Sequence, residues 1–309
     1  MLFIDNPFND IYFNLAAEEY LLKNFTEDIF MIWQSEPCVV VGKHQNLKVE
    51  VNLDFAHENQ IKIARRFSGG GTVYQDMGNI NLTFIEESEH PDFNKFADKM
   101  VSVLASIGVE SVADERRALF IDGNKISGSA QFLHKNKVLY HATLLYSTDL
   151  IMLEKAVFLL KELSVIKAEN IAKPDLAIVE DIIPIKPNQT NIEVEQTAKP
   201  EPVITETGQA FKPNLSEFEF TEIISETKPW RYVKSVKSPV TNISDHFDKT
   251  LSVSEFRELL LKAFLALSSA GKRPLVYQFS DKDILKINQL RDEKYSKEYW
   301  ISKGMLSLF

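Results

Sequence analysis

The sequence predicts an α+β fold, built on a mixed, mostly antiparallel sheet flanked by helices. Two observations carry that expectation. Short β-branched and aromatic runs recur along the chain, interrupted by stretches with apolar residues at helical spacing. Tight turns at Asp122-Gly123 and Asn136-Lys137 join neighbouring runs, and a tight turn makes the strands it joins antiparallel.

Taken in order, residues 2–4 read as a strand. Asn9 or Asp10 then caps an amphipathic helix with Ile11, Leu15, Glu18, Glu19 and Leu22 at helical spacing. Residues 30–34 and 38–41 are expected to pair antiparallel around Ser35-Glu36-Pro37. Cys38 falls inside the second run, which makes it a small buried core residue rather than a nucleophile. Gly42-Lys43-His44-Gln45-Asn46 follows as a polar loop. His44 has no carboxylate or thiol close by in sequence and reads as a solvated loop histidine. Residues 53–59 form a short helix leading into a strand at 61–64.

The next stretch is the least probable by chance: Arg65-Arg66-Phe67-Ser68-Gly69-Gly70-Gly71-Thr72-Val73-Tyr74-Gln75-Asp76-Met77-Gly78-Asn79. Strand character resumes at 72–74, so the glycines occupy a turn between two strands. Taken alone, three glycines are equally compatible with a flexible hairpin. Without Cβ atoms, however, they let the backbone approach a ligand and turn several N–H groups into one concavity, which suits an anion. Two arginines at its mouth add charge and a planar donor fork. No Gly-Lys-Ser/Thr follows, so this is not a P-loop, and the spacing is not that of a dinucleotide fingerprint.

Residues 79–85 form a strand with Ile80, Leu82 and Phe84 toward the core, and 93–107 a scaffolding helix with Phe96, Met100, Leu104 and Ile107 on one stripe. Strands follow at 118–121, 125–131 and 138–146. A lysine at the start of a strand is usually a solvated charge. Lys125 is followed by Ser127-Gly128-Ser129-Ala130, small residues that leave room for a ligand, and this makes it the catalytic candidate. A helix is expected at 153–161, amphipathic helices at 253–267, capped by Ser252 or Ser254, and at 281–292. Between them, residues 169–229 hold seven of the twelve prolines, one glycine, and twelve acidic against five basic residues. Such a stretch cannot bury enough apolar surface to offset its ordering entropy, and reads as an extended or disordered acidic insertion. Parts 1–168 and 230–309 then form one catalytic domain.

A chain of 309 residues with 44% hydrophobic residues has enough material for a substantial core. No apolar run approaches the roughly 20 residues of a membrane span, and Met1-Leu2-Phe3-Ile4-Asp5 opens as a strand, not a signal peptide. The expectation is a cytoplasmic protein without membrane association. One cysteine excludes an internal disulfide and a multi-cysteine zinc site, and the six histidines include no His-x-x-x-His pair, so no metal site is expected. A net charge of −9 argues against a nucleic-acid partner.

The stretch 65–79 resembles the Arg-Arg-x-Ser-Gly-Gly-Gly-x-Val-Tyr/Phe-x-Asp-x-Gly-Asn motif of lipoate-protein ligases. The similarity continues at Tyr12-Phe13-Asn14-Leu15-Ala16-Ala17-Glu18-Glu19-Tyr20-Leu21, at the 42–46 loop, at Lys125-Ile126-Ser127-Gly128-Ser129-Ala130 and at His141-Ala142-Thr143-Leu144-Leu145. It returns after the insertion at Lys234-Ser235-Val236-Lys237-Ser238-Pro239-Val240-Thr241-Asn242, which resembles the loop closing over the adenylate, and at 290–300. Lys237 and Pro239 replace two arginines of that loop. Arg116-Arg117-Ala118 stands where members carry Arg-Asn-Asp, so a carboxylate is missing there.

The resemblance implies a biotin/lipoate ligase-like (class II synthetase-like) catalytic domain. It implies ATP-dependent ligation of lipoate or octanoate to a lysine of a lipoyl domain through an acyl-adenylate, with magnesium arriving with ATP. In that reading Arg66 and the amides of Gly71, Thr72, Val73 and Tyr74 hold the adenylate, and Lys125 faces the acyl carbonyl and phosphate oxygens. Asp76 and Asn79 fix the loop beside the nucleotide, and His141 is a pocket histidine. Hydrophobic residues of the strand with Ile80, Leu82 and Phe84 are candidates for the acyl tunnel. Partners are lipoyl domains of 2-oxoacid dehydrogenase complexes or the glycine cleavage H protein, with a separate protein supplying the accessory domain that many members carry. Two other readings stay open. One is an ATP-independent octanoyl or lipoyl transferase, which would need a cysteine nucleophile. The other is a weakly catalytic protein that binds lipoyl-adenylate or lipoyl domains. The Gly-Arg-Gly-Arg motif of biotin ligases is absent.

Overall fold

Asp10, Asn52, Asp149 and Ser280 each accept a backbone N–H at a helix start, fixing four helices as local sequence directs. The computed structural model describes residues 1–88, 91–157, 233–268 and 275–302, which all lie in one unit formed by Met1–Ile166 and Arg231–Phe309. The candidate insertion 169–229 lies outside the described residues. Helices are α1 (Ile11–Asn24), α2 (Leu47–Glu50), α3 (Leu53–Glu58), α4 (Asn94–Ser106), α5 (Leu150–Ala156), α6 (Val253–Ser268), α7 (Asp281–Leu290) and α8 (Glu298–Ile301). Helix α5 starts three residues earlier than its periodicity suggests because Asp149 caps it. Its described part ends at Val157, which bridges to Val51, and residues 158–161 of the expected helix lie outside the described residues.

The strands are β1 (Leu2–Asp5), β2 (Ile29–Trp33), β3 (Cys38–Val41), β4 (Lys62–Arg65), β5 (Val73–Gln75), β6 (Asn79–Glu87), β7 (Val112–Ala113), β8 (Leu119–Ile121), β9 (Asn124–His134), β10 (Lys137–Leu145) and β11 (Leu275–Val276). They form two sheets. An eight-stranded sheet runs β11-β1-β2-β6-β10-β9-β8-β7, parallel at β11-β1-β2 and antiparallel from there on. A three-stranded sheet runs β4-β3-β5, with β3 parallel to β4 and antiparallel to β5.

The expected antiparallel pairing of residues 30–34 with 38–41 is therefore wrong. Both edges of β2 are taken by β1 and β6, and both edges of β3 by β4 and β5, so the chain passes from one sheet to the other at Ser35-Glu36-Pro37. All residues of β2 and β3 are buried, which removes the alternation that would have revealed their faces. Nor do the glycines close a hairpin: β4 and β5 lie on opposite edges of β3, and the loop between them crosses its end.

Ile80, Leu82 and Phe84 of β6 pack with Phe30, Phe96, Tyr140 and Phe264 in a core between the large sheet, α4 and α6. The opposite face of that sheet meets α1, α7 and one face of the small sheet. The outer face of the small sheet packs on the α2–α3 region and α5. Register aligns Trp33, Asn81, Thr143 and Gly128 in one cross-strand row, and Met31, Thr83, His141 and Ala130 in the next, both on the face toward the small sheet.

Candidate active site

A cavity of about 570 Å³ opens between that face and the small sheet. Trp33, Asn81, His141, Thr143, Gly128 and Ala130 contribute one wall, and Val40, Val73 and Gln75 the other. The glycine loop, Lys125, Asp114, Arg116 and a strap at 233–238 complete the lining.

The glycine loop is wound around Arg66. The Nε donates to Ser68 Oγ at 3.1 Å and Gly69 O at 3.0 Å, Nη2 to Gly69 O at 2.6 Å and Gly71 O at 2.7 Å, and Nη1 to Val40 O at 3.2 Å. Carbonyls are drawn onto the guanidinium, which borders the cavity with most of its donors occupied. Gly70, at φ +86°, takes a conformation that only glycine adopts freely. A Cβ on Gly42 would lie well inside van der Waals contact with the Gly70 carbonyl oxygen, so the 42–46 turn and the loop are packed tightly together.

Neither arginine stands at a mouth, contrary to the sequence expectation. Both are buried, and burial lowers both pKa values. Arg65 points away from the cavity. Its Nη1 donates to Gly42 O and Gln45 O at 2.8 Å and its Nε to Ile301 O at 2.8 Å, tying the turn to α8.

His141 borders the cavity and has both ring nitrogens occupied. Its Nδ1 lies 2.9 Å from Glu18 Oε2 and its Nε2 2.8 Å from Ser68 Oγ. With the carboxylate accepting from Nδ1–H, Nε2 accepts from the Ser68 hydroxyl, whose oxygen accepts from Arg66. Glu18 is fully buried and also accepts from Thr83 Oγ1 at 2.6 Å. The pattern at 12–21 marked α1 only as a packed helix, and the role of Glu18 escaped it.

Lys125 differs. Its backbone is held on one side by Pro239 O, 2.7 Å from Lys125 N, and by Thr241 N, 3.1 Å from Lys125 O. The proline that replaces a family arginine thus still supplies its carbonyl. Lys125 Nζ lies 3.5 Å from where a Cβ on Gly128 would be, and has no hydrogen bond or ion pair among the described residues. Burial lowers its pKa, partly offset by Asp114. Asp114 answers the carboxylate found missing at 116–118. It borders the cavity from two residues upstream of Arg116, with Oδ1 accepting from Arg116 N and Ala118 N at 2.9 and 2.8 Å.

The strap lies against the loop from 160 residues away in sequence. Ser235 Oγ accepts from Thr72 N at 2.8 Å, and Ser235 N donates to Glu50 Oε1 at 3.2 Å.

Gly71, Thr72 and Val73 line the cavity with Arg66, Lys125 and His141, but Tyr74, Asp76 and Asn79 do not. The Tyr74 ring packs with Val39, Val41 and Ile61 on the outer face of the small sheet. Asp76 accepts from Gly78 N and Asp149 N at 2.8 and 2.9 Å, and Asn79 Oδ1 from Asp76 N and Thr148 Oγ1 at 3.1 and 2.9 Å, so both brace the turn that follows β5. Ile80, Leu82 and Phe84 face the core and cannot form an acyl tunnel; Asn81, on the other face of the same strand, borders the cavity. Cys38 is fully buried in β3, outside the cavity lining, and burial pushes its thiol pKa up. Among the described residues no group of three or more His, Cys, Asp or Glu could hold a metal, and no helix is long and apolar enough to cross a membrane.

The model of the lipoyl protein ligase A/B catalytic domain matches residues 10–183. Lipoate-protein ligase LplJ of Bacillus subtilis is 29% identical over 306 residues, covering 97% of this chain and 73% of its own. Among solved structures, lipoate-protein ligase A bound with ATP superposes with a TM-score of 0.65 at 20% identity, covering 98% of both chains. A bi-partite lipoate protein ligase of Thermoplasma acidophilum, from a lipoylation system studied with its E2 lipoyl domain, superposes with a TM-score of 0.65 at 22% identity. That match covers 97% of this chain and 95% of that one.

Proposed function

The chain belongs to the lipoyl protein ligase A/B catalytic-domain family, and we propose that it uses ATP to attach lipoate, or octanoate, to a lysine of a lipoyl domain. A carboxylate oxygen of the acid attacks the α-phosphorus of ATP and the bond to the β-phosphate breaks, releasing pyrophosphate. The neutral amine of the target lysine then attacks the acyl carbonyl carbon, AMP leaves with the bonding electrons, and the amine loses a proton. No covalent enzyme intermediate is required, so catalysis is positioning and charge stabilisation.

One observation carries this reading: the Lys125 ammonium, half-buried in the cavity wall, makes no hydrogen bond or ion pair among the described residues. A partly desolvated cation whose nearby carboxylate, Asp114, does not pair with it directly is costly, and an anionic ligand relieves that cost. Lys125 faces the acyl carbonyl and phosphate oxygens as negative charge builds there. Arg66 shapes the loop from within, while Gly71 and Val73 present backbone to the adenylate beside His141; the Thr72 N–H is taken by Ser235 Oγ. The acyl tail lies toward Trp33, Asn81 and Val40. Magnesium, arriving with ATP, would be held mainly by phosphate and water, with Asp114 as the carboxylate in the lining, and would neutralise phosphate charge.

The ATP-bound ligase supports the nucleotide, and the bi-partite ligase with its E2 lipoyl domain supports the protein substrate. A transferase using an acyl-thioester would need a thiol in the cavity, and the chain's one cysteine is buried in β3. The test is intact-mass spectrometry of lipoyl domains incubated with the protein, ATP and each acid. Modification dependent on ATP is the expected result, and acyl transfer without ATP from an acyl-carrier donor would overturn it. Pyrophosphate release on mixing with ATP and lipoate separates an enzyme from a binding protein.

A further inference from the structure

Where the glycine loop, the 42–46 turn and the strap meet, two donors converge on one hydroxyl. Ser235 Oγ accepts from the Thr72 backbone N–H at 2.8 Å and from Gln45 Nε2 at 3.0 Å. The orientation of the Gln45 carboxamide is fixed independently, because its Oε1 accepts from Gly42 N at 2.9 Å and from the Thr72 hydroxyl at 2.8 Å. A serine oxygen that accepts two hydrogen bonds has one direction left, that of its own O–H. No acceptor for that proton is found among the described residues. Ser235 borders the cavity, and the buried Glu50 holds its backbone N–H.

We propose that Ser235 is a further catalytic residue of the ligation, its Oγ–H donating to a non-bridging oxygen of the adenylate phosphate. The two donors polarise the hydroxyl and make it a stronger donor than an isolated serine. The strap that carries it reaches Lys125 through Pro239, whose carbonyl takes the Lys125 backbone N–H, so one segment presents a neutral donor and frames the cationic one. Thr72 and Gln45 act through Ser235 as positioning residues. The inference rests on the ligase reading and adds to it a residue that the motif at 234–242 does not single out.

Ser235→Ala and Ser235→Thr in the full chain test it. Three quantities are read: the dissociation constant of lipoyl-adenylate without any lipoyl domain, pyrophosphate release from ATP and lipoate, and single-turnover transfer from preformed lipoyl-adenylate. A hydrogen bond to a charged oxygen is worth roughly 10- to 100-fold. Ser235→Ala is therefore expected to bind lipoyl-adenylate about tenfold more weakly and to slow both steps by that order, with the KM for lipoate little changed; Thr72 N–H and Gln45 Nε2 also lose their acceptor, so thermal unfolding is read alongside and the threonine variant separates the two effects. Ser235→Thr, which keeps the hydroxyl, should stay within about threefold of wild type on this argument. Wild-type affinity and rates for the alanine variant would overturn the proposal. So would equal losses for alanine and threonine, which would make Ser235 a packing element of the strap. If wild-type protein neither releases pyrophosphate nor transfers the acyl group, the ligase reading itself fails, and this inference with it.

Discussion

Lys125 and His141 border the same cavity but differ in what their polar atoms have left to offer. His141 is held between Glu18 and Ser68, whereas the Lys125 ammonium is unpaired among the described residues. Burial lowers the Lys125 pKa, so in the free enzyme its proton is lost below the roughly 10.4 of an ordinary lysine. In the proposed mechanism the protonated form acts. Accordingly kcat/KM should fall on the alkaline side along a limb centred below that value, and Lys125→Ala should lack the limb. Lys125→Arg should not restore activity, because the broader guanidinium fork does not fit beside Gly128. A limb that persists in the alanine variant would assign it to another group. Cys38→Ala should keep full ATP-dependent activity, since the thiol is buried in β3 with its pKa raised; loss of turnover without loss of stability would revive the transferase reading.

At the scale of elements, the local signals were legible and the long-range ones were not. Capping residues announced α1 and α6, and the turns at 122–123 and 136–137 announced the meander β8-β9-β10, the second turn lying one residue earlier than expected. The small sheet was invisible because all of β3 is buried and its partners come from both sides of the glycine loop. The site divides the same way. Lys125, Arg66 and the glycine loop stand out as residues, but Gln45, Glu18 and Ser235 matter through contacts across up to 190 positions, which no local pattern encodes, and Asp114 through its place in the cavity lining. The close approach of the 42–46 turn to the loop gives a prediction at this scale. Gly42→Ala would push its Cβ against the Gly70 carbonyl and should cost about 1–3 kcal/mol in thermal unfolding while also weakening lipoyl-adenylate binding. Unchanged stability and binding would mean that the loop can move freely away from the turn.

Across the whole molecule, the described residues on either side of 158–232 are anchored on one stretch: Val157 bridges to Val51, and Val233 N donates to His44 O at 3.4 Å. A short linker can therefore join the two parts, and loop-closure entropy changes only about 0.6 kcal/mol per doubling of length. Replacing 169–229 by such a linker should preserve fold and acyl transfer, as measured by thermal unfolding and single-turnover kinetics. Failure to fold would show that the boundaries inferred from the acidic, proline-rich composition are wrong.

In the proposed function this chain transfers an acyl group from an adenylate to a lipoyl-domain lysine, with Lys125 stabilising the developing charge. Single-turnover transfer from preformed lipoyl-adenylate, followed by intact mass of the lipoyl domain, tests it most directly and bypasses any partner needed for adenylation. Complete modification by wild-type protein is expected, with a rate roughly 10²–10³ lower for Lys125→Ala at unchanged thermal stability. No modification by the wild type, or equal rates for the two proteins, would contradict it.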